Sequence, residues 1–483
     1  EPERRYASVD LFAGDLRNWL DGLPVAARGD GAGYRLRKFV RRHRVTVLAA
    51  VAVAAALIAA TATSLWQAHR ADRERDAALR TRDFVLGMLS NVSPYRRSVG
   101  RSPTITSLVE TSAPRVVAEF ADEPQIRVPL LRSFAGVFLS LGRARDSVQY
   151  LEAALKGERE LGAAPELIAE TQLAIANGDY YLRRFDESDR ITAAILADLA
   201  QRPDDVAHAR LAYSAREIRI LVRWVRGDFD GAAGAARELI EAMRARLGAD
   251  DVETAAAENY LGFVLMDAAD IGRETIDADA LEKAGRLIEH FAGIDADKFP
   301  AGYPGNYGDA NTIAGWLVAY GDGATAEALA TRVLDLRNRI YFGQGFYPAF
   351  TRYMRGRARC LAGRFDEASA DFDDALTVLA DSGNVGYMYL SRVRLRQAQC
   401  QLAAGRNERA AATFELARRI AIEDGGANTP LVRAADFGLA AAARATPPAS
   451  RTPARGAELD RVRDRLVALA ERLAQPPASD GAH

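Results

Sequence analysis

Arginine at helical spacing is the first pattern in this chain that could do chemistry. Arg216, Arg219 and Arg223 fall at i, i+3 and i+7, as do Arg352, Arg355 and Arg359, and Arg392 and Arg396 fall at i and i+4. On a helix each set lies along one face. Guanidinium groups aligned in this way could hold carboxylates or an acidic segment through charge-assisted hydrogen bonds. The competing reading is a solvated face, paired with the many neighbouring Asp and Glu. The second pattern is aromatic: Phe299, Tyr303, Tyr307, Trp316 and Tyr320, then Tyr341, Phe342, Phe346, Tyr347, Phe350 and Tyr353. Among these, Tyr303, Tyr307, Trp316 and Tyr347 could line a pocket for a peptide or a sugar by stacking and hydroxyl hydrogen bonding. The alternative is a core packed beneath a long loop. The histidines, His43, His69, His208, His290 and His483, are scattered, and Cys360 and Cys400 are the two cysteines. No metal motif or disulfide framework can be built from them. No nucleophile or phosphate site can be assembled, so no catalytic residue and no cofactor is expected. The net charge of −1 gives no global field for nucleic acid.

The elements that must position these residues are helices in repeats. A chain of 483 residues is too long for one compact core. Its Ala and Leu content favours helix, and Pro is scarce within long stretches. Across residues 129–443 one turn recurs: Arg183-Arg184-Phe185-Asp186-Glu187-Ser188, Gly227-Asp228-Phe229-Asp230-Gly231-Ala232 and Gly363-Arg364-Phe365-Asp366-Glu367-Ala368. Looser copies begin at Gly142 and Gly405, and Gly363 and Gly405 are 42 residues apart. Gly ends a first helix, because it takes a left-handed cap without strain. The aromatic packs across the turn, and the acidic residue sits in the first turn of a second helix, where the dipole favours it. Small residues, Ala or Ser, let the two helices approach. Leu151, Phe372 and Phe414 follow, each with an Ala three residues on, and Ala135, Gly356 and Ala398 sit in the first helices. This order resembles the tetratricopeptide repeat. The longer period also fits a two-helix HEAT-type solenoid, and both readings are all-α. Cys360 and Cys400 then fall near equivalent places in adjacent repeats. Two buried free thiols are expected there, although neighbouring helices come close enough to be bridged. Residues 291–310, rich in Gly, Pro and Tyr, are expected to interrupt the array.

Residues 45–66 form an uncharged run of 22, enough to span a bilayer core of roughly 30 Å. Arg35, Arg37, Lys38, Arg41, Arg42 and Arg44 precede it closely, whereas the residues after it mix Arg with Asp and Glu. The positive-inside rule therefore places the N-terminus in the cytoplasm and the repeats outside.

The stub before the span carries a further resemblance. Glu1-Pro2-Glu3-Arg4-Arg5-Tyr6-Ala7-Ser8-Val9, then Asp15-Leu16-Arg17-Asn18-Trp19-Leu20, is similar to the last helices of eukaryotic-like bacterial serine/threonine kinase domains. Tyr34-Arg35-Leu36-Arg37-Lys38-Phe39-Val40-Arg41-Arg42-His43 resembles the membrane-proximal exit of transmembrane members of that family, and Arg82-Asp83-Phe84-Val85-Leu86-Gly87-Met88-Leu89 resembles their outer stalk. The Gly-rich loop, strand Lys and His-Arg-Asp loop of the kinase body have no counterpart in these residues. Asp436-Phe437-Gly438 spells that family's metal-binding motif, but it lies in an Ala-rich repeat helix and is read as a coincidence.

The expected chain is thus an all-α, tetratricopeptide-like solenoid behind one membrane helix. Residues 1–28 are a kinase-like remnant, 29–44 a basic juxtamembrane segment and 45–66 the span. Residues 67–128 are a helical stalk, 129–443 the array and 444–457 a linker. An amphipathic helix that could cap the array follows at 458–474, and a disordered tail at 475–483. The resemblance implies the periplasmic side of a bacterial inner membrane, a protein or peptide ligand in the groove, self-association, and a sensor role for a kinase. A non-signalling envelope scaffold is the other reading.

Overall fold

The structure is a computed structural model that describes residues 6–26, 31–90, 105–203, 205–273, 275–341, 345–444, 453–454 and 456–477. Arg5, Phe342, most of the expected linker and the end of the tail lie outside the described residues. The chain divides into two compact units, at Ser93 and Pro94.

The first unit contains α1 (Val9–Leu20), α2 (Ala32–Arg42) and α3 (Arg44–Ser90). Ser8 caps α1, its hydroxyl accepting the Leu11 amide at 3.3 Å. Asp15 accepts the Tyr6 hydroxyl at 2.9 Å and the Ala26 amide at 2.7 Å, which ties the chain on either side to the helix. Helix α3 is continuous for 47 residues, roughly 70 Å. Its apolar stretch is wholly unburied, and among the described residues it is the one helix long and apolar enough to cross a membrane. Thr61 and Thr63 donate their hydroxyls to the Leu57 and Ala59 carbonyls one turn back. These two hydroxyls are therefore satisfied within the helix.

The second unit is built of stacked helices, with no strand among the described residues. After α4 (Ile105–Glu119) come paired helices: α5 (Pro124–Ser140) with α6 (Ala144–Glu160), α7 (Pro165–Tyr181) with α8 (Phe185–Leu199), and α9 (Val206–Val225) with α10 (Phe229–Leu247). The pairs continue with α11 (Val252–Asp270) and α12 (Ala278–Lys298), α13 (Asn306–Tyr320) and α14 (Gly323–Tyr341), α15 (Phe346–Leu361) and α16 (Phe365–Leu379), and α17 (Leu390–Ala403) and α18 (Asn407–Gly425). Helix α19 (Pro430–Ala443) stacks on α18, and α20 (Ala457–Leu473) is last. This is an all-α solenoid.

The recurring turn works as its residues imply. Gly142, Gly227, Gly363 and Gly405 take φ between 73° and 86°. Arg183, with φ of 60°, is the one non-glycine residue at positive φ among the described residues. The small residues Ser147, Ser188, Ala232, Ala368 and Ala410 are all buried where the two helices cross. Ser188 also donates its hydroxyl to the Ala176 carbonyl at 2.8 Å. Phe185 and Phe229 are buried across the turn, and so are Leu151, Phe372 and Phe414 behind it.

Two expectations are corrected. The array is not interrupted over residues 291–310: α12 runs to Lys298 and α13 begins at Asn306, so the irregular segment is residues 299–305. Pro300, Gly302, Pro304 and Gly305 confine the break, and the flanking residues keep their helical hydrogen bonds. The amphipathic C-terminal helix does not cap the end of the array either. Helix α20 lies against α12 and α13, with Leu459, Val462, Leu466 and Leu473 fully buried there. Gly285 admits it: a Cβ at that position would meet Val462 at 2.5 Å.

The stack also folds back on itself, bringing the turns of early repeats against the helix ends of late ones. The Val385 amide donates to the Gly142 carbonyl at 2.8 Å, and Arg145 reaches Ser382 at 2.6 Å. Arg183 donates to Asp424 at 2.6 Å. Its side chain thereby anchors a turn that glycine would otherwise occupy more comfortably.

Candidate functional site

The arginine stripes are on single helices, but most of their charge is used inside the molecule. On α15, Arg355 holds both carboxylate oxygens of Asp371, at 2.7 and 2.9 Å. Arg359 reaches the same carboxylate at 2.9 Å and Glu327 at 3.1 Å. On α17, Arg392 and Arg396 point at Asp267 and Asp270 of α11. Arg392 also donates to the Trp224 carbonyl at 2.6 Å and lies 4.6 Å from the centroid of that indole ring. Burial alone would lower the Arg396 guanidinium; Asp270 beside it outweighs that and holds it above its ordinary value. These two residues therefore clasp α17 to α11. On α9, Arg219 lies 3.7 Å from Asp189, Arg223 approaches the Gly231 carbonyl at 3.4 Å, and Arg216 is exposed. Arg352 is half-buried on α15. Placed in this way, the stripes form no continuous ladder open to an acidic segment.

The aromatic residues separate into several contacts. Trp316 and Tyr307 are fully buried: the indole N–H donates to the Leu281 carbonyl at 2.8 Å, and the Tyr307 hydroxyl to the Gln475 carbonyl at 3.3 Å. Both fasten α13 to its surroundings. Tyr347 stacks under Arg337, 5.5 Å from ring centroid to guanidinium, while Arg337 donates to the Tyr347 carbonyl and to Thr351. Burial lowers the Arg337 guanidinium to about 10. Tyr303 remains at the surface, stacked on Phe299 at 4.2 Å. These four residues do not meet in one pocket.

A different set of residues does. A pocket of about 370 Å³ opens where the C-terminal ends of α11, α13, α15 and α17 meet α19. Its apolar wall includes Ile276, Val318, Leu402, Phe372 and Phe414, and Leu361 and Phe437 stand partly in solvent beside it. Asp270, Arg273, Arg357, Arg396 and Gln399 supply the polar part. Cys360 and Cys400 form part of the wall and are joined in a disulfide, with Cα atoms 5.7 Å apart, so the expectation of free thiols is corrected. The α15–α17 neighbours approach closely at those two positions, which differ by 40 residues rather than the full repeat of 42.

The sequence did hold a signal for this pocket. Val318, Cys360 and Leu402 are successively 42 residues apart, and so are Ala319, Leu361 and Ala403. They are the same two positions of the repeat on three successive first helices, and all six line the cavity. Phe437 and Gly438 of the kinase-like tripeptide lie here too, whereas Asp436 pairs with Arg418 at 2.7 Å on the surface. Among the described residues no group of His, Cys, Asp and Glu is placed to hold a metal ion.

No protein-family model matches the chain, and no characterised protein matches it in sequence. Among solved structures it is similar to a TPR2AB domain of yeast Sti1 in complex with pHSP90, at 16% identity and a TM-score of 0.23, over 57% of this chain and 98% of that one. It is also similar to yeast Tom70, at 12% identity and a TM-score of 0.19, over 70% of this chain and 92% of that one. The helix pairs described above, rather than these low scores, establish the solenoid.

Proposed function

We propose that the chain is a membrane-anchored repeat module that binds a protein or peptide partner outside the cytoplasm, and that it forms the sensor part of a receptor-type serine/threonine kinase. The observation that carries this reading is the uncharged run within α3, whose apolar stretch is unburied. A basic segment precedes it, and a stacked-helix unit with an open pocket follows it in sequence. The Cys360–Cys400 disulfide supports the outer location, because such bonds persist in oxidising compartments. The kinase assignment rests on the sequence of residues 1–9, 15–20 and 34–43 and on residues 82–89 at the end of α3. It adds a function for the span, which would pass the occupancy of the repeats to a cytoplasmic domain.

Protease added to spheroplasts expressing the chain tests the topology. The repeats should be digested and an epitope on the N-terminal stub spared. Digestion of the stub with protection of the repeats would overturn the orientation and, with it, the sensor reading.

A further inference from the structure

The pocket combines apolar walls with cations that differ in how they are satisfied. Arg396 has Asp270, and Arg273 has Asp277 at 3.6 Å together with the Ala268 carbonyl. Arg355 and Arg359, on the same helix as Arg357, have Asp371. Arg357 is half-buried and has no carboxylate partner among the described residues. Its guanidinium makes a 3.6 Å contact with the Met354 sulfur and lies 5.8 Å from the Tyr353 ring. A guanidinium held in a partly dry wall favours an anion that restores the interactions it lost from water. The apolar side of the cavity is incomplete too. Phe437 is 55% exposed and Leu361 37% exposed beside it, although each is flanked by buried side chains. One occupant would satisfy both features if it carried a negative charge at one end and an apolar body at the other. The cavity is small for a folded partner and lies at the lower end of the range for small-molecule sites, about 300–1,000 Å³.

We propose that this pocket binds a small amphiphilic carboxylate, its carboxylate on Arg357 and its apolar body against Phe437 and Leu361. The assignment rests on the reading of the repeats as a ligand-binding module and names the ligand class for it. The lining residues carry more cationic than anionic groups, Arg273, Arg357 and Arg396 against Asp270, so the same site disfavours an amine of equal shape.

The test uses the full chain in lipid nanodiscs, titrated calorimetrically with three probes of matched size: 4-phenylbutyrate, 4-phenylbutanol and 4-phenylbutylamine. The carboxylate should bind roughly tenfold or more tightly than the alcohol, the scale of one charge-assisted contact, and the amine weakest of all. Arg357→Gln should reduce the carboxylate to the affinity of the alcohol and leave alcohol binding and the thermal midpoint unchanged. Phe437→Ala, at an exposed side chain, should weaken carboxylate and alcohol alike. Equal affinities for the three probes, or a carboxylate affinity unaffected by Arg357→Gln, would overturn the proposal, as would binding retained in full by Phe437→Ala. None of these titrations depends on membrane orientation. A reversed topology would therefore leave their result standing, and their failure would leave the topology standing.

Discussion

Helix α13 and the uncharged run of α3 are both largely apolar, and they differ in what surrounds them. The run in α3 has no buried surface. In α13 almost every side chain from Asn306 to Tyr320 is buried, Trp316 and Ile313 completely. Composition alone does not separate the two, because a helix that is hydrophobic all round suits either a large core or a bilayer. The difference lies in the neighbours. Helices α12, α14, α15 and α20 enclose α13, and Gly285 and Gly315 let the packing come close. The apolar run of α3 has no such enclosure among the described residues. In the function proposed above, lipid supplies it.

The same substitution in both helices should break the resemblance. Ala314→Arg puts a charge at a position that is 1% exposed, with no partner and no space. It should cost about 4 kcal/mol or more and remove the cooperative thermal transition of the repeat unit by circular dichroism. Ala54→Arg in α3 should leave that transition intact. It should instead lower the membrane-bound fraction on cell fractionation, with about 2.5–3.5 kcal/mol of insertion energy lost. A repeat-unit melt damaged by Ala54→Arg would show that protein encloses α3 after all.

The enclosure of α13 depends partly on α15, and the Cys360–Cys400 bond ties α15 to α17. In the chain-entropy account, closing a loop with a separation of 40 residues stabilises by about 3–4 kcal/mol. Cys360→Ser should lower the melting midpoint of the repeat unit, and dithiothreitol should do the same to the parent but not to the variant. Absence of any reductant effect on the parent would mean that the bond adds nothing to the folded state.

What could be read from the sequence divides along the same line as the two helices. The turns were legible because their requirements are local: glycine for a positive φ, a small residue at the helix crossing, an aromatic across the turn. The apolar run of α3 was legible because its length and lack of charge suffice to mark a long apolar helix. The role of α13 was not. Its tyrosines and tryptophan fitted either a pocket or a core packed beneath a loop, and the neighbours that make them a core include α20, which returns from the far end of the chain. The arginine stripes were seen, but their partners were not. Arg392 meets Asp267 across 125 residues, and Arg183 meets Asp424 across 241, and no periodicity announces such pairs. The pocket needed both kinds of information, a 42-residue register that is visible in sequence and a fold-back that is not.

The smallest expected effect concerns a chemical difference that composition does show: the run in α3 has no carboxyl side chain, whereas α13 carries Asp309. That carboxyl is 8% exposed, and burial together with the neighbouring Asp295 carboxylate pushes its pKa upward. Asp309 therefore stays protonated in the native state at pH values where the unfolded chain, titrating near an ordinary 3.9, has already released its proton. Over that interval the folded state binds more protons, so this residue makes stability fall as pH rises from about 4 through the neutral range. A kcal/mol moves the midpoint of a 150–250-residue domain by only about 2–4 °C, and this unit is larger, so the slope should be shallow. Asp309→Asn keeps the shape and a neutral hydrogen-bonding group. Thermal midpoints of parent and variant, measured from pH 5 to 8, should converge at the acid end and separate toward pH 8, with the variant higher. Parallel curves would mean that Asp309 is already ionised inside the fold, and that an internal cation neutralises it.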